Sequence, residues 1–195
     1  NYIHQCSNRK SKKFIAINCG AIPENLMDSE LFGHEAGAFT GASSSRKGKF
    51  EECHGGTLFL DEVNSMPMSM QVKLLRFLEE RVIEKVGSNK LIPLDVRIIA
   101  ASQTPLKEVV DKGDFREDLY YRLNVIPVKI PALRDRPDDI PLLFNHFLFQ
   151  FCTQYKRELI EASPAIISKL ITYNWPGNVR ELRNAAERYI ITGTL

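Results

Sequence analysis

The sequence predicts an α/β protein, with a parallel sheet core followed by a helical subdomain. Two observations carry that reading. Short, nearly all-apolar runs end in polar residues at 14–19 (Phe-Ile-Ala-Ile-Asn-Cys), 57–62 (Thr-Leu-Phe-Leu-Asp-Glu) and 96–103 (Val-Arg-Ile-Ile-Ala-Ala-Ser-Gln). Such runs suit strands buried on both faces of a parallel sheet, and stretches of helical period separate them. Beyond Pro131 the pattern is helical throughout. At 195 residues the chain suits one domain, or one domain with a small subdomain.

The elements follow in order. Arg9, Lys10, Lys12 and Lys13 precede the first run as a solvated loop. Residues 24–32 read as a short helix with Leu26, Leu31 and Phe32 on its apolar side. Residues 69–80 form an amphipathic helix in which Met70, Leu74, Phe77 and Leu78 recur at helical spacing, as core packing requires. Residues 82–86 and 90–94 flank Gly87-Ser88-Asn89 and suit a hairpin. Residues 115–123 read as a helix carrying Arg116 and Arg122, and residues 125–130 as the last sheet strand, ended by Pro131. Arg134-Asp135-Arg136-Pro137-Asp138-Asp139 is a charged hinge, which places a boundary between 1–133 and 134–195. Helices follow over 140–155, from Ser163-Pro164 as N-cap and first residue, and from Asn178 as cap to about Ile191. In the last of these Val179, Leu182, Ala186, Tyr189 and Ile190 form the buried stripe, while Arg180 and Arg183 face elsewhere.

Composition narrows the classes. With 44% hydrophobic and 26% charged residues the chain is that of an ordinary globular protein. A formal charge of +2 is too weak to argue for nucleic acid or an anionic membrane. No apolar run approaches the roughly 20 residues of a membrane helix, and no secretory pattern is present. Cys6, Cys19, Cys53 and Cys152 are scattered without C-x-x-C spacing, so a reduced, cytoplasmic chain is expected. His4, His34, His54 and His146 show no ligand spacing, and no metal is assigned to them.

Three stretches carry chemistry. In Gly37-Ala38-Phe39-Thr40-Gly41-Ala42 the two glycines weaken both helix and strand and suit a tight reversal with Phe39 and Thr40 at its apex. An aromatic there is either a contact device on an exposed tip or a side chain buried under a glycine turn. Asp61-Glu62 ends a buried strand, where ligands bind in open α/β sheets. There an Asp can hold Mg2+ and the next Glu can orient and deprotonate water, the bland alternative being a solvated strand end. Asn18 ends another such run and either closes a turn or finds a functional partner. Taken alone, Arg116, Arg122 and Arg180 are surface charges and Trp175 a core aromatic.

At these residues the chain resembles the AAA+ domain of bacterial enhancer-binding proteins, which activate sigma-54 RNA polymerase. Glu-Leu-Phe-Gly-His-Glu at 30–35 and Gly-Ala-Phe-Thr-Gly-Ala at 37–42 match that family's signature loop without a change. Residues 55–62 resemble its Walker B segment, with Cys53 where Ala is usual, and Trp-Pro-Gly-Asn-Val-Arg-Glu-Leu-Arg-Asn at 175–184 resembles its third signature. The resemblance implies an exposed loop 37–42 that contacts sigma-54 through Gly37, Ala38, Phe39, Thr40, Gly41 and Ala42. It implies that the 82–94 insertion lies beside this loop and moves with it. It implies ATP and Mg2+ as cofactors, with Asp61 holding Mg2+, Glu62 activating water and Asn18 holding Glu62 inactive until the loop engages its target. Gly55, Gly56 and Thr57 are implied nucleotide contacts, Ser102 and Gln103 fall at the sensor I position (usually Thr-Asn), and Arg180 is sensor II. Arg116 and Arg122 are implied arginine fingers acting in a neighbouring subunit, which requires a ring, by resemblance a hexamer.

A P-loop ATPase needs Gly-x-x-x-x-Gly-Lys-[Ser/Thr], and no such string occurs between Asn1 and Leu195. Ile3-His4 fits the end of the helix that follows that loop in the family. The Walker A loop and the first strand are therefore expected upstream of Asn1, which would leave residues 1–195 inactive alone. A sensing domain and an enhancer-binding DNA domain are likewise expected outside them. The function expected is ATP-dependent activation of sigma-54 RNA polymerase; the alternative is a non-catalytic regulator on the same fold that acts by binding alone.

Overall fold

In the computed structural model residues 1–159 and 161–194 are described. The elements are α1 (Tyr2–Gln5), β1 (Phe14–Asn18), α2 (Glu24–Phe32), β2 (Gly33–His34), β3 (Arg46–Lys47), α3 (Lys49–Glu52), β4 (Thr57–Asp61), α4 (Met68–Glu80), β5 (Val82–Ile83), β6 (Ile92–Pro93), β7 (Arg97–Ala100), α5 (Leu106–Asp111), α6 (Glu117–Leu123), α7 (Asp139–Tyr155), α8 (Pro164–Thr172) and α9 (Asn178–Thr192). Short 3-10 turns follow β1 (Cys19–Ala21) and β4 (Val63–Ser65) and precede α7 (Leu133–Asp135). The chain divides into two compact units, Asn1–Pro127 and Val128–Leu195.

The first unit is built on a sheet whose described strands run in the order β1-β4-β7. Both pairings are parallel, with Asn18 beside Asp61 and Leu60 beside Ala100 in register. The three apolar runs of the sequence are these three strands, and all three end their polar residues on one edge. Leu58 and Leu60 are fully buried, as are Leu74 and Phe77 of α4 and Leu119 of α6, so helices cover the sheet. Fully removing side chains of this size from water stabilises the fold by about 2 kcal/mol each. In α2 the buried side chains are Met27, Leu31 and Phe32, while Leu26 is 46% exposed. Met27 and Leu31 stand one turn apart and share a face with Phe32 next to it; Leu26 lies off that face, which corrects the stripe expected from sequence.

α4 carries an unexpected buried polar residue. Gln71 Nε2 donates to the carbonyls of Met66 (2.8 Å) and Asp114 (3.1 Å), and its Oε1 accepts the Arg116 N–H at 2.9 Å. One amide thus ties the start of α4 to the approach to α6. Arg116 itself is not helical: its φ of −71° and ψ of 133° make it the residue before α6, while Arg122 sits in the last turn. The two arginines therefore do not both lie within one helix, as residues 115–123 were expected to form.

Residues 125–130 form no strand, contrary to the sequence expectation. A strand exists by pairing, and among the described residues no neighbour takes up this segment's backbone. Val125, Ile126, Val128 and Ile130 remain 72–82% exposed.

In the second unit Phe144, Leu148 and Phe151 of α7, Leu170 of α8 and Leu182, Ala186 and Ile190 of α9 form a core with Leu133 and Trp175. Ser163 accepts the Ile166 N–H as N-cap of α8, with Pro164 in first position. Asn178 does not cap its own helix: its Oδ1 accepts the Leu133 N–H at 2.9 Å. The start of α9 is instead closed by Glu181, which accepts the Gly177 N–H at 2.8 Å. No helix among the described residues is long and apolar enough to cross a membrane.

Candidate functional site

The parallel register of β1, β4 and β7 brings three polar strand ends together. Asn18 pairs with Asp61 across β1 and β4, and β7 delivers Ser102 and Gln103 just past Ala100. This is the carboxyl edge of the sheet, where α/β folds hold ligands. Asn18 Oδ1 accepts the Ala21 N–H at 3.1 Å, so its side chain caps the 3-10 turn after β1. Asp61 Oδ1 accepts the N–H of Glu62 at 3.0 Å. Glu62 has left-handed backbone angles, φ 52° and ψ 43°. A non-glycine residue there costs on the order of 1 kcal/mol and such strain gathers at functional sites.

The Glu62 carboxylate is not held by Asn18. Gln103 Nε2 donates to Glu62 Oε1 at 2.8 Å. The neighbouring Ser102 hydroxyl is engaged locally, its single proton shared between Asn64 Oδ1 and the Thr104 carbonyl. Beneath the acidic pair lies the buried thiol of Cys19, which burial first, then the negative charges of Asp61 and Glu62, push up to about 11. Hard carboxylate oxygens on Asp61 and Glu62 suit Mg2+, which takes one or two carboxylates and completes its shell with water and phosphate oxygens. No group of three or more potential ligands clusters among the described residues, and such a site needs none.

Three sequence candidates fall away from this edge. Gly55, Gly56 and Thr57 stand at the amino end of β4, about 13 Å of strand from Asp61. Thr57 is fully buried and its Oγ1 shares a hydrogen bond with His4 Nδ1 at 3.0 Å. The Gly56 carbonyl accepts from Arg9, which also forks onto Asp95 at 2.7 Å. These residues lie at the opposite end of the strand from Asp61 and Glu62, so the structure does not bring Gly55, Gly56 and Thr57 together with the acidic pair.

The loop 37–42 is the tip of the β2–β3 hairpin. Gly37 N–H donates to the Ala42 carbonyl at 2.8 Å and Ala42 N–H to Phe39 at 3.0 Å, which closes the reversal. Phe39 (42% exposed) and Thr40 stand at the apex, and the Phe39 ring rests edge-on against His34 at 5.0 Å. The base of the hairpin is a glycine crossing. A Cβ on Gly48 would stand 2.3 Å from Gly33 N and 2.4 Å from the Leu31 carbonyl, so only glycine fits. Beneath it Phe32 stacks on Phe50 at 5.0 Å and Phe77 meets Phe50 edge-on at 4.7 Å, which fixes the base while the tip projects. The 82–94 insertion is a shorter hairpin than its sequence suggests, pairing Val82–Ile83 with Ile92–Pro93. It does lie beside the loop: Val86 N–H donates to the Gly33 carbonyl, Glu35 N–H to Val86, and Lys85 reaches Glu35 and Glu51 at 3.4 Å.

The arginines are paired within the chain. Arg116 forks onto Asp118 at 3.0 and 2.6 Å, which raises the guanidinium and lowers the Asp118 carboxyl relative to their ordinary values. Arg122 donates to Glu79 at 3.2 Å. All four side chains are largely solvated, so a competing anion can displace these contacts cheaply. Arg180 is exposed on α9 in the second unit. Sequence reasoning missed Gln71 and the place of Cys19. A polar side chain interrupting the apolar face of α4 was the available signal for Gln71; nothing in the sequence marked Cys19.

With this geometry in hand, the comparisons with known proteins are specific. Residues 1–129 match the family model described as the sigma-54 interaction domain, and residues 134–194 the AAA+ ATPase lid domain. Among relatives, the C4-dicarboxylate transport transcriptional regulatory protein DctD of Pseudomonas aeruginosa is 56% identical over 97% of this chain and 41% of its own length. The sigma54-dependent transcriptional regulator SfnR of Pseudomonas fluorescens is 50% identical over 97% of this chain and 52% of its own. Among solved structures, NtrX from Brucella abortus in complex with ATP superposes with a TM-score of 0.89 at 40% identity, covering 98% of this chain and 41% of that one. The chain thus spans about two fifths to one half of the length of these relatives.

Proposed function

The chain belongs to the sigma-54 interaction domain family, and from that membership we propose that it is the motor part of an ATP-dependent activator of sigma-54 RNA polymerase. ATP hydrolysis is coupled to remodelling of the closed promoter complex. The carrying observation is the convergence of Asn18, Asp61-Glu62 and Ser102-Gln103 at the carboxyl ends of three adjacent parallel strands, with a separate hairpin tip presenting Phe39 and Thr40. Similarity to NtrX in complex with ATP supports nucleotide binding.

In this reading residues 1–133 are the AAA+ core and 134–195 the lid. Asp61 would hold Mg2+, which when bound neutralises phosphate charge. Glu62 takes the proton of the attacking water, and its position directly after Asp61 puts base and metal ligand on one strand end. Ser102 and Gln103 line the same edge from β7, and Asn18 shapes it by fixing the turn after β1. Arg116 and Arg122 leave Asp118 and Glu79 to reach a neighbouring subunit's phosphates in a hexameric ring, and Arg180 approaches the phosphates from the lid. Residues 37–42 contact sigma-54, and DNA is bound by a domain outside residues 1–195.

The test is ATP turnover by the intact protein under ring-forming conditions. Glu62→Gln removes the base and keeps the shape, and is expected to lower kcat at least about 100-fold. Full turnover in that variant would contradict the assignment; absence of turnover in wild type would favour a regulator that acts by binding alone.

A further inference from the structure

Phe39 does not stand free at the hairpin tip. Its ring and the His34 imidazole lie 5.0 Å apart with their planes at 63°, an edge-to-face pair. His34 is itself nearly buried, at 9% exposed, whereas Phe39 keeps an open outer side. The local chain explains how the imidazole comes there. Gly33 ends α2 with a φ of 84° and its N–H donates to the Ser29 carbonyl, so the chain doubles back over the last turn of the helix. That return sets His34 Nδ1 2.7 Å from Ser29 Oγ, a hydrogen bond that fixes the plane of the imidazole. The main chain on either side is clamped as well, because Val86 N–H donates to the Gly33 carbonyl and Glu35 N–H to the Val86 carbonyl. Ala38, next to the apex, lies on the second hairpin, where a Cβ added to Gly87 would stand 2.7 Å from the Ala38 Cβ. The apex aromatic thus rests on a side chain that α2 and both hairpins hold in place.

We infer that His34 is a positioning residue for the sigma-54 contact, with Ser29 orienting its ring, and that it presents Phe39 already ordered. The inference rests on the reading of residues 37–42 as that contact. A free aromatic at a loop apex loses rotamer freedom when a partner closes on it, which weakens binding. A ring already seated against an imidazole has lost much of that freedom beforehand, while its outer side stays open to the partner. His34 belongs to the hairpin base and not to the sheet edge of Asp61 and Glu62, so its effect falls on capture and not on turnover.

The test titrates sigma-54 onto the intact protein with ADP-aluminium fluoride present, and measures ATP turnover beside it. The variants are Ser29→Ala, His34→Ala, His34→Phe, Phe39→Leu, Phe39→Ala and the His34→Ala/Phe39→Leu pair. His34→Ala is expected to weaken capture about three- to tenfold, with turnover within about twofold of wild type. Ser29→Ala, which lets the imidazole turn, weakens capture about two- to threefold. His34→Phe, which keeps an aromatic edge under Phe39, holds capture within about twofold of wild type. The His34/Phe39 double-mutant cycle should show coupling of at least about threefold in capture, which a general loosening of the hairpin would not give. Strict additivity overturns the inference, as does wild-type capture in both His34→Ala and Ser29→Ala. So does tighter capture in His34→Ala, which would make the imidazole a contact that sigma-54 has to break. Where His34→Ala forms no rings, Ser29→Ala and His34→Phe decide: capture unchanged in the first or lost in the second overturns the inference. Loss of capture in Phe39→Ala with none of these effects at His34 strikes the inference alone. Full capture in Phe39→Ala would sink the reading of the loop, and the role of His34 with it.

Discussion

Cys19 lies where the first strand meets the acidic pair, and both its burial and those charges keep its proton on. Its thiol is pushed up to about 11 from an ordinary 9.0. Between those values the folded state binds more protons than the unfolded chain, so this residue's contribution to stability is present below 9.0 and is lost as pH rises toward about 11. Denaturation of wild type and Cys19→Ala at about pH 8 and about pH 10 checks the sign: wild type should lose more stability across that interval than the variant. Alkylation offers a second check, because exposed Cys6 should react readily in the folded protein while buried Cys19 stays inert. The same residue scale explains what the sequence could not disclose about the site. Asp61-Glu62 was legible because a buried strand ending in carboxylates is a pattern. The partner of Glu62 was not, because whether Asn18 or Gln103 reaches it depends on where each side chain lands after folding.

Elements were legible to the extent that burial leaves a local pattern. Strands buried on both faces leave apolar runs, so β1, β4 and β7 could be located, as could α4 and the hairpin tip with its glycines. Residues 125–130 show the limit: they have the composition of a strand, yet strand formation needs a partner backbone that composition does not report. Arg116 shows another, since a residue one position outside a helix looks no different in sequence from one inside. Its backbone is placed instead by Gln71, which satisfies three main-chain groups from a fully buried position. Gln71→Leu keeps the volume but leaves those groups without a partner. It should cost about 2–4 kcal/mol by urea denaturation. If Arg116 acts as proposed, turnover of the surviving folded rings should fall as well. A loss below about 0.5 kcal/mol would contradict the role given to this amide.

At the scale of the whole molecule, the proposed chemistry and the proposed output fall on different parts of the first unit. The acidic pair belongs to the sheet edge, held by strand register. The loop 37–42 belongs to a hairpin whose base is locked by Gly33, Gly48 and the Phe32-Phe50-Phe77 aromatic cluster. The contacts of Lys85 and Val86 join the second hairpin to that base. Such a separation predicts that contact and turnover can be uncoupled by one side chain at the tip. Thr40 is exposed and its side chain makes no hydrogen bond among the described residues, so its removal should leave the fold and the sheet edge intact. The most direct test is capture of sigma-54 in the presence of ADP-aluminium fluoride, measured beside ATP turnover for intact wild type and Thr40→Ala. Turnover within about twofold of wild type and loss of capture are expected in the variant. Capture equal to wild type would contradict the loop as the point of contact, and loss of turnover in step with capture would contradict the separation of motor and output.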